Sequence, residues 1–116
     1  MHLATCSDAE ILAVVNPMMD NLMQASTAID HASHTRDFTD RLKAIVTEAY
    51  LRAVCQHYQA EWGYFTQREC VAIFRRPNSI AVVWKQACSL QPGEFVAELV
   101  LVQQDDRYLI DHVMVY

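Results

Sequence analysis

The chain has 116 residues, 53% of them apolar and 20% charged, which is the balance of one globular domain spanning 1–116 around a single core. A formal charge of −5 argues against a nucleic-acid surface, which needs clustered Lys and Arg; the densest basic spot, Arg75-Arg76, lies beside a Pro-Asn turn. No apolar run approaches bilayer length, and four widely spaced cysteines without a C-x-x-C pair read as reduced, core-filling thiols, so a cytoplasmic protein is expected.

Leu3-Ala4-Thr5-Cys6 loosely resembles a lipoprotein cleavage box, but the charged start and apolar stretch that such a signal needs do not precede it, and it reads as chance. Ser7-Asp8-Ala9-Glu10 is a capping box that opens a helix. Ile11, Leu12, Val14, Val15, Met18, Met19, Leu22 and Met23 keep its apolar face, to an end near Ser26-Thr27. Pro17 predicts a kink, or a restart with Asn16 as cap. Asp30 to His34 reads as a short capped turn of helix leading to Phe38, Leu42, Ile45 and Val46. Thr47 then caps a helix whose face is Leu51, Val54, Cys55, Tyr58 and Trp62, with Gly63 as its stop.

Beyond Gly63 the apolar period changes from helical to alternating. Four strands fit, Tyr64 to Arg75, Ser79 to Ser89, Glu94 to Gln103, and Tyr108 to the C-terminus, joined by turns rich in Pro, Asn, Gly and Asp. Two-residue alternation gives one row of Ile80, Val82, Trp84, Gln86 and Cys88, then Phe95, Ala97, Leu99 and Leu101, then Tyr108, Ile110, His112 and Met114. The opposite row holds the charges Lys85, Glu98 and Asp111, so the first row is expected to face the helices. The second row also carries Val83, Ala87, Val96, Val100, Val102, Leu109, Val113 and Val115, too apolar to be left in water. It is expected to pack on a second copy, with Lys85 paired to Glu98 or Asp111 in the contact; cover by the chain's own N-terminal segment is the alternative.

Helices ending in Trp62-Gly63, then a hairpin-rich sheet containing Val82-Val83-Trp84-Lys85-Gln86-Ala87, resemble the nuclear transport factor 2-like, or cystatin-like, superfamily over nearly the whole chain. The stretch from Asp30 to Phe38 is similar to small bacterial members of unknown function. The resemblance implies an α+β cone, with N-terminal helices on the concave face of a curved antiparallel sheet of about four strands. It also implies a pocket between the layers and a dimer through the sheets; some members use Asp, His and Tyr there for proton transfer.

Trp84, Gln86, His112, Tyr58 and Tyr108 are the expected pocket lining. His112 is the one imidazole in the inward row, and with Asp30, Tyr50 or Tyr58 beside it could act as a general base; a wall histidine satisfied by a neighbour is the blander reading. Asp30, His31, His34 and Asp37 have helical spacing suited to a metal, yet a polar helix boundary explains them as caps and solvated side chains. Nothing in the chain asks for a cofactor or a metal. Three readings follow: a dimeric binding module for a small apolar ligand, an interaction protein using the sheet face, and an isomerase, dehydratase or hydrolase with His112 in acid-base work.

Overall fold

The computed structural model describes residues 2–116, and its elements follow the order read from the sequence. Helix α1 spans Asp8–Ala28, α2 His31–His34, α3 Asp40–Ile45 and α4 Glu48–Trp62. Strands β1 (Phe65–Arg75), β2 (Ile80–Cys88), β3 (Phe95–Gln104) and β4 (Arg107–Val115) form one antiparallel meander in the order β1-β2-β3-β4. No helix is long and apolar enough to cross a membrane.

Each helix begins where a side chain satisfies its first free amides. Ser7 Oγ accepts from the Glu10 amide at 3.1 Å while the Glu10 carboxylate accepts from the Ser7 amide at 2.9 Å, completing the capping box. Asp30, Thr39 and Thr47 cap the other three helices in the same way. Pro17 does not restart α1: the helix runs through it and on past Ser26-Thr27 to Ala28. It ends on Ile29 at φ 53°, a left-handed cap normally filled by glycine. Gly63 stops α4 at φ 80°, and a Cβ there would lie 2.2 Å from Ser89 Oγ. The close fit is used, because Leu90 N donates to Trp62 O and Tyr64 N donates to Ser89 Oγ, tying the end of α4 to the end of β2.

The core lies between the helices and the concave sheet face. Ile11, Val15, Met19 and Leu22 of α1 meet Leu51 and Cys55 of α4 and the buried rows Ile80, Val82, Trp84 and Ala97, Leu99, Leu101. Those two rows face inward as alternation predicts. β4 departs from it. Leu101 pairs with Ile110 but Val100 pairs with His112, leaving Asp111 as an extra residue in a β-bulge. Tyr108 and Ile110 therefore point inward, whereas His112 and Met114 turn to the outer face and Val113 and Val115 replace them inside.

The bulge has a cause seventy residues away in the chain. Thr39 Oγ1 donates to Asp111 Oδ1 at 2.8 Å, Arg41 Nε donates to the same oxygen at 3.0 Å, and Arg41 Nη2 bonds the Asp111 carbonyl. Ile110 N donates to Asp37 O and Thr39 N to Ile110 O, with Phe38 beside Ile110 in a parallel bridge. The start of α3 is thus laced to the middle of β4.

The β3–β4 hairpin closes on Asp105 and Asp106, at φ 50° and 62° between the paired residues Gln104 and Arg107. Two positive φ values define a type I′ turn, which favours glycine at its second position. Asp106→Gly is therefore expected to stabilise the fold by about 0.5–1 kcal/mol, read as a higher urea midpoint at unchanged m-value. An unchanged or lower midpoint would contradict it.

Candidate functional site

A cleft of about 650 Å³ opens between α1, α3, α4 and the C-terminal half of β4. Its walls come from apolar positions that alternate with core positions along the helices, such as Met23 of α1, Ile45 of α3 and Val54 of α4, with Val113 and Val115 of β4 opposite. One end is aromatic. Tyr58 stacks on Phe65 with ring centres 4.7 Å apart, and Trp62 lies 6.2 Å from Tyr58.

Polar groups in this lining are few. Ser26 continues the buried row Val15, Met19, Leu22 of α1, and its hydroxyl bonds Tyr58 Oη at 2.6 Å and approaches Cys55 Sγ at 3.4 Å. Burial pushes the Cys55 thiol and the Tyr58 phenol upward, against a smaller opposing effect of the Ser26 hydrogen bonds. The thiol is therefore held as SH, a poor nucleophile. His34 borders the cleft with its ring edge-on to Phe38, 5.4 Å between centres. At the rim Arg41 is paired with Asp111, and His57 faces Glu61 at 3.7 Å. Among the described residues no Asp, Glu or Lys lines the cleft.

Of the five residues expected in the pocket, Tyr58 and His112 border this cleft and the other three do not. Trp84 is 2% exposed inside the core, with the Arg68 guanidinium 5.6 Å over its ring. Arg68 is the charge that alternation would send outward. A second irregularity, between Phe65 and Arg68, turns it in, where it pairs with Asp20 at 2.9 Å. The same irregularity employs Gln86: its amide Nε2 donates to the Gln67 carbonyl at 3.2 Å and the Ala87 carbonyl at 3.0 Å, with Thr66 O at 3.4 Å. Gln86 thus mends the interrupted ladder. Tyr108 packs on the core near Cys6, at the other end of β4.

His112 borders the cleft from the convex side, where Nε2 lies 3.2 Å from Glu98 Oε2. None of Asp30, Tyr50 or Tyr58 is its partner. Asp30 caps α2 and accepts from Ser33 Oγ at 2.7 Å. Two other residues of the Asp30–Asp37 stretch are likewise engaged: His31 Nε2 bonds Val46 O at 2.8 Å and Asp37 pairs with Arg36. Within the chain Lys85 pairs with Glu94 at 3.1 Å. Ser26 and His34 line the cleft without belonging to the lining expected from the sequence. Only Ser26 had a signal, its place in the buried period of α1.

No family model matches this chain, and no curated protein matches it. Solved structures with the same architecture do. A nuclear transport factor 2-like protein of unknown function from Silicibacter pomeroyi aligns over 96% of this chain and 98% of its own, at 10% identity and a TM-score of 0.63. The fold is nuclear transport factor 2-like. A protein of unknown function from Pseudomonas putida with this fold aligns over 95% of this chain and 88% of its own, at 13% identity and a TM-score of 0.59. Another, from Shewanella baltica, covers 97% of both chains at 5% identity with a TM-score of 0.57. At such identities a nuclear transport factor 2-like fold transfers architecture and no chemistry.

Proposed function

We propose that this domain is a binding module, holding a small, mainly apolar molecule in the cleft and working as a homodimer joined through the outer sheet face. The observation that carries the reading is the cleft of about 650 Å³ with its aliphatic sides and aromatic end. Its size and lining suit a small-molecule site, where apolar walls supply affinity and a few polar groups orient the ligand. The dimer is supported by the convex face, on which Phe74 and Met114 are about half exposed beside Val83, Val96 and Val100. Four free thiols spread over the chain fit a reducing compartment such as the cytoplasm.

The cleft is tested with N-phenyl-1-naphthylamine, a neutral probe that fluoresces in apolar surroundings. Saturable binding is expected, weakened at least about tenfold by Val54→Trp, which puts a large ring into the cleft. Unsaturable fluorescence, or equal binding by the folded variant, would remove the reading.

A further inference from the structure

Among the described residues of the cleft, His34 is the one with a buried side-chain polar atom that the protein leaves unpaired. Its Nδ1 is enclosed and has no hydrogen-bond partner. The ring is held in place by Phe38, which is 2% exposed and fastened to β4 through the bridge at Ile110. Its backbone is held as well, because Asn21 Nδ2 donates to Ser33 O at 2.9 Å and ties α2 to α1. Burial and the neighbouring His31 push the pKa of His34 down to about 4, so at neutral pH the ring carries one proton.

The enclosed nitrogen decides which atom carries that proton. Buried N–H groups without an acceptor are rarer than buried acceptors without a donor, so Nδ1 keeps its lone pair and the proton sits on Nε2. Nε2 is then the atom by which the ring can meet an occupant of the cleft, and it meets it as a donor. The other polar groups present no free charge. Ser26 and Tyr58 bond each other, Arg41 is neutralised by Asp111, and no carboxylate or lysine lines the space.

Resting on the proposed apolar cleft, we infer that His34 is its recognition residue, donating Nε2–H to the carbonyl oxygen of an uncharged, otherwise apolar molecule. An anion is disfavoured because Arg41 is already engaged, and a cation because no carboxylate faces it. A pure hydrocarbon would leave the imidazole N–H dry and unpaired, at a cost that a carbonyl oxygen removes.

Three probes of one shape separate these cases: 2-acetylnaphthalene, 2-isopropenylnaphthalene, in which CH₂ replaces the carbonyl oxygen, and 2-naphthoate. Titrations at pH 7 are expected to rank the ketone about three- to tenfold tighter than the alkene, with the carboxylate weakest. His34→Leu is expected to erase the ketone's advantage and leave alkene binding within about twofold, while His34→Gln, which keeps an N–H donor, retains part of it. Nitrogen-15 spectra of the free protein are expected to place the ring proton on Nε2.

Equal affinity for ketone and alkene, an advantage that survives His34→Leu, or a proton on Nδ1 would each overturn the role of His34 while leaving the apolar cleft standing. Tightest binding of naphthoate would overturn it in favour of an anion site at Arg41. Failure of all three probes to bind would overturn the cleft itself, and this inference with it.

Discussion

Val100→Glu is expected to convert a dimer into a monomer. Val100 lies on an interior strand of the sheet, opposite His112, in the convex row that also holds Val83, Val96 and Val102. That face has few charges to desolvate. Lys85 and Glu94 pair at one end of it, and Glu98 is already hydrogen-bonded to His112. In a two-fold contact each substitution enters twice, and a buried carboxylate without a partner costs several kcal/mol. Dissociation should therefore rise at least about a thousandfold. Sedimentation velocity measures it directly. The inner row is untouched, so the variant should keep the far-ultraviolet spectrum of the parent. A parent that sediments as a monomer, or a variant that stays dimeric, would leave the convex face without the partner proposed for it.

How much of this was legible in the sequence depended on the range of the interaction concerned. Caps, the glycine stop and the change of apolar period act within a few residues, and strand limits from the pattern fall within about one residue of those found. The inward rows of β2 and β3 were legible for the same reason. The lining of the cleft is less legible: bulges redirect His112 and engage Gln86, while Trp84 is swallowed by the core and Tyr108 lies at the other end of β4. Thr39 and Arg41 reach Asp111 across the fold, and the extra residue they hold reverses the face of His112. In β1 an irregularity turns Arg68 onto Trp84 and employs Gln86 in backbone repair. Such shifts leave no periodic trace, since they arise from contacts distant in sequence. Tyr58 borders the cleft from a regular helix, where the period is undisturbed. His34 reads as a solvated residue at a helix boundary, which its sequence neighbours Ser33 and Thr35 suggest; in the fold its Nδ1 is enclosed and its ring packs edge-on to Phe38.

The enclosure of His34 gives the acid limb of stability a distinct window. In the folded protein its pKa is about 4, against an ordinary value of 6.5. Above pH 6.5 the ring is neutral in both states and contributes nothing to the pH dependence. Between 6.5 and 4 the unfolded chain binds a proton that the folded one does not, so stability falls as pH falls. Down to pH 5 this amounts to about 1–2 kcal/mol, at roughly 1.4 kcal/mol per unit and allowing for the ring's partial exposure. The carboxylates act lower. Arg41 holds the Asp111 carboxyl below its ordinary 3.8, and Ser33 does the same for Asp30, so their contributions are present above those values and lost beneath them. His34→Leu should consequently match or exceed the parent at pH 7, lacking the unpaired Nδ1, and should lose about 1–2 kcal/mol less between pH 7 and 5. Urea titrations of both proteins at one concentration test this, because the remaining histidines are common to the two and cancel in the difference. Parallel losses in parent and variant would mean that His34 takes up its proton as readily folded as unfolded, and that its ring is open to water.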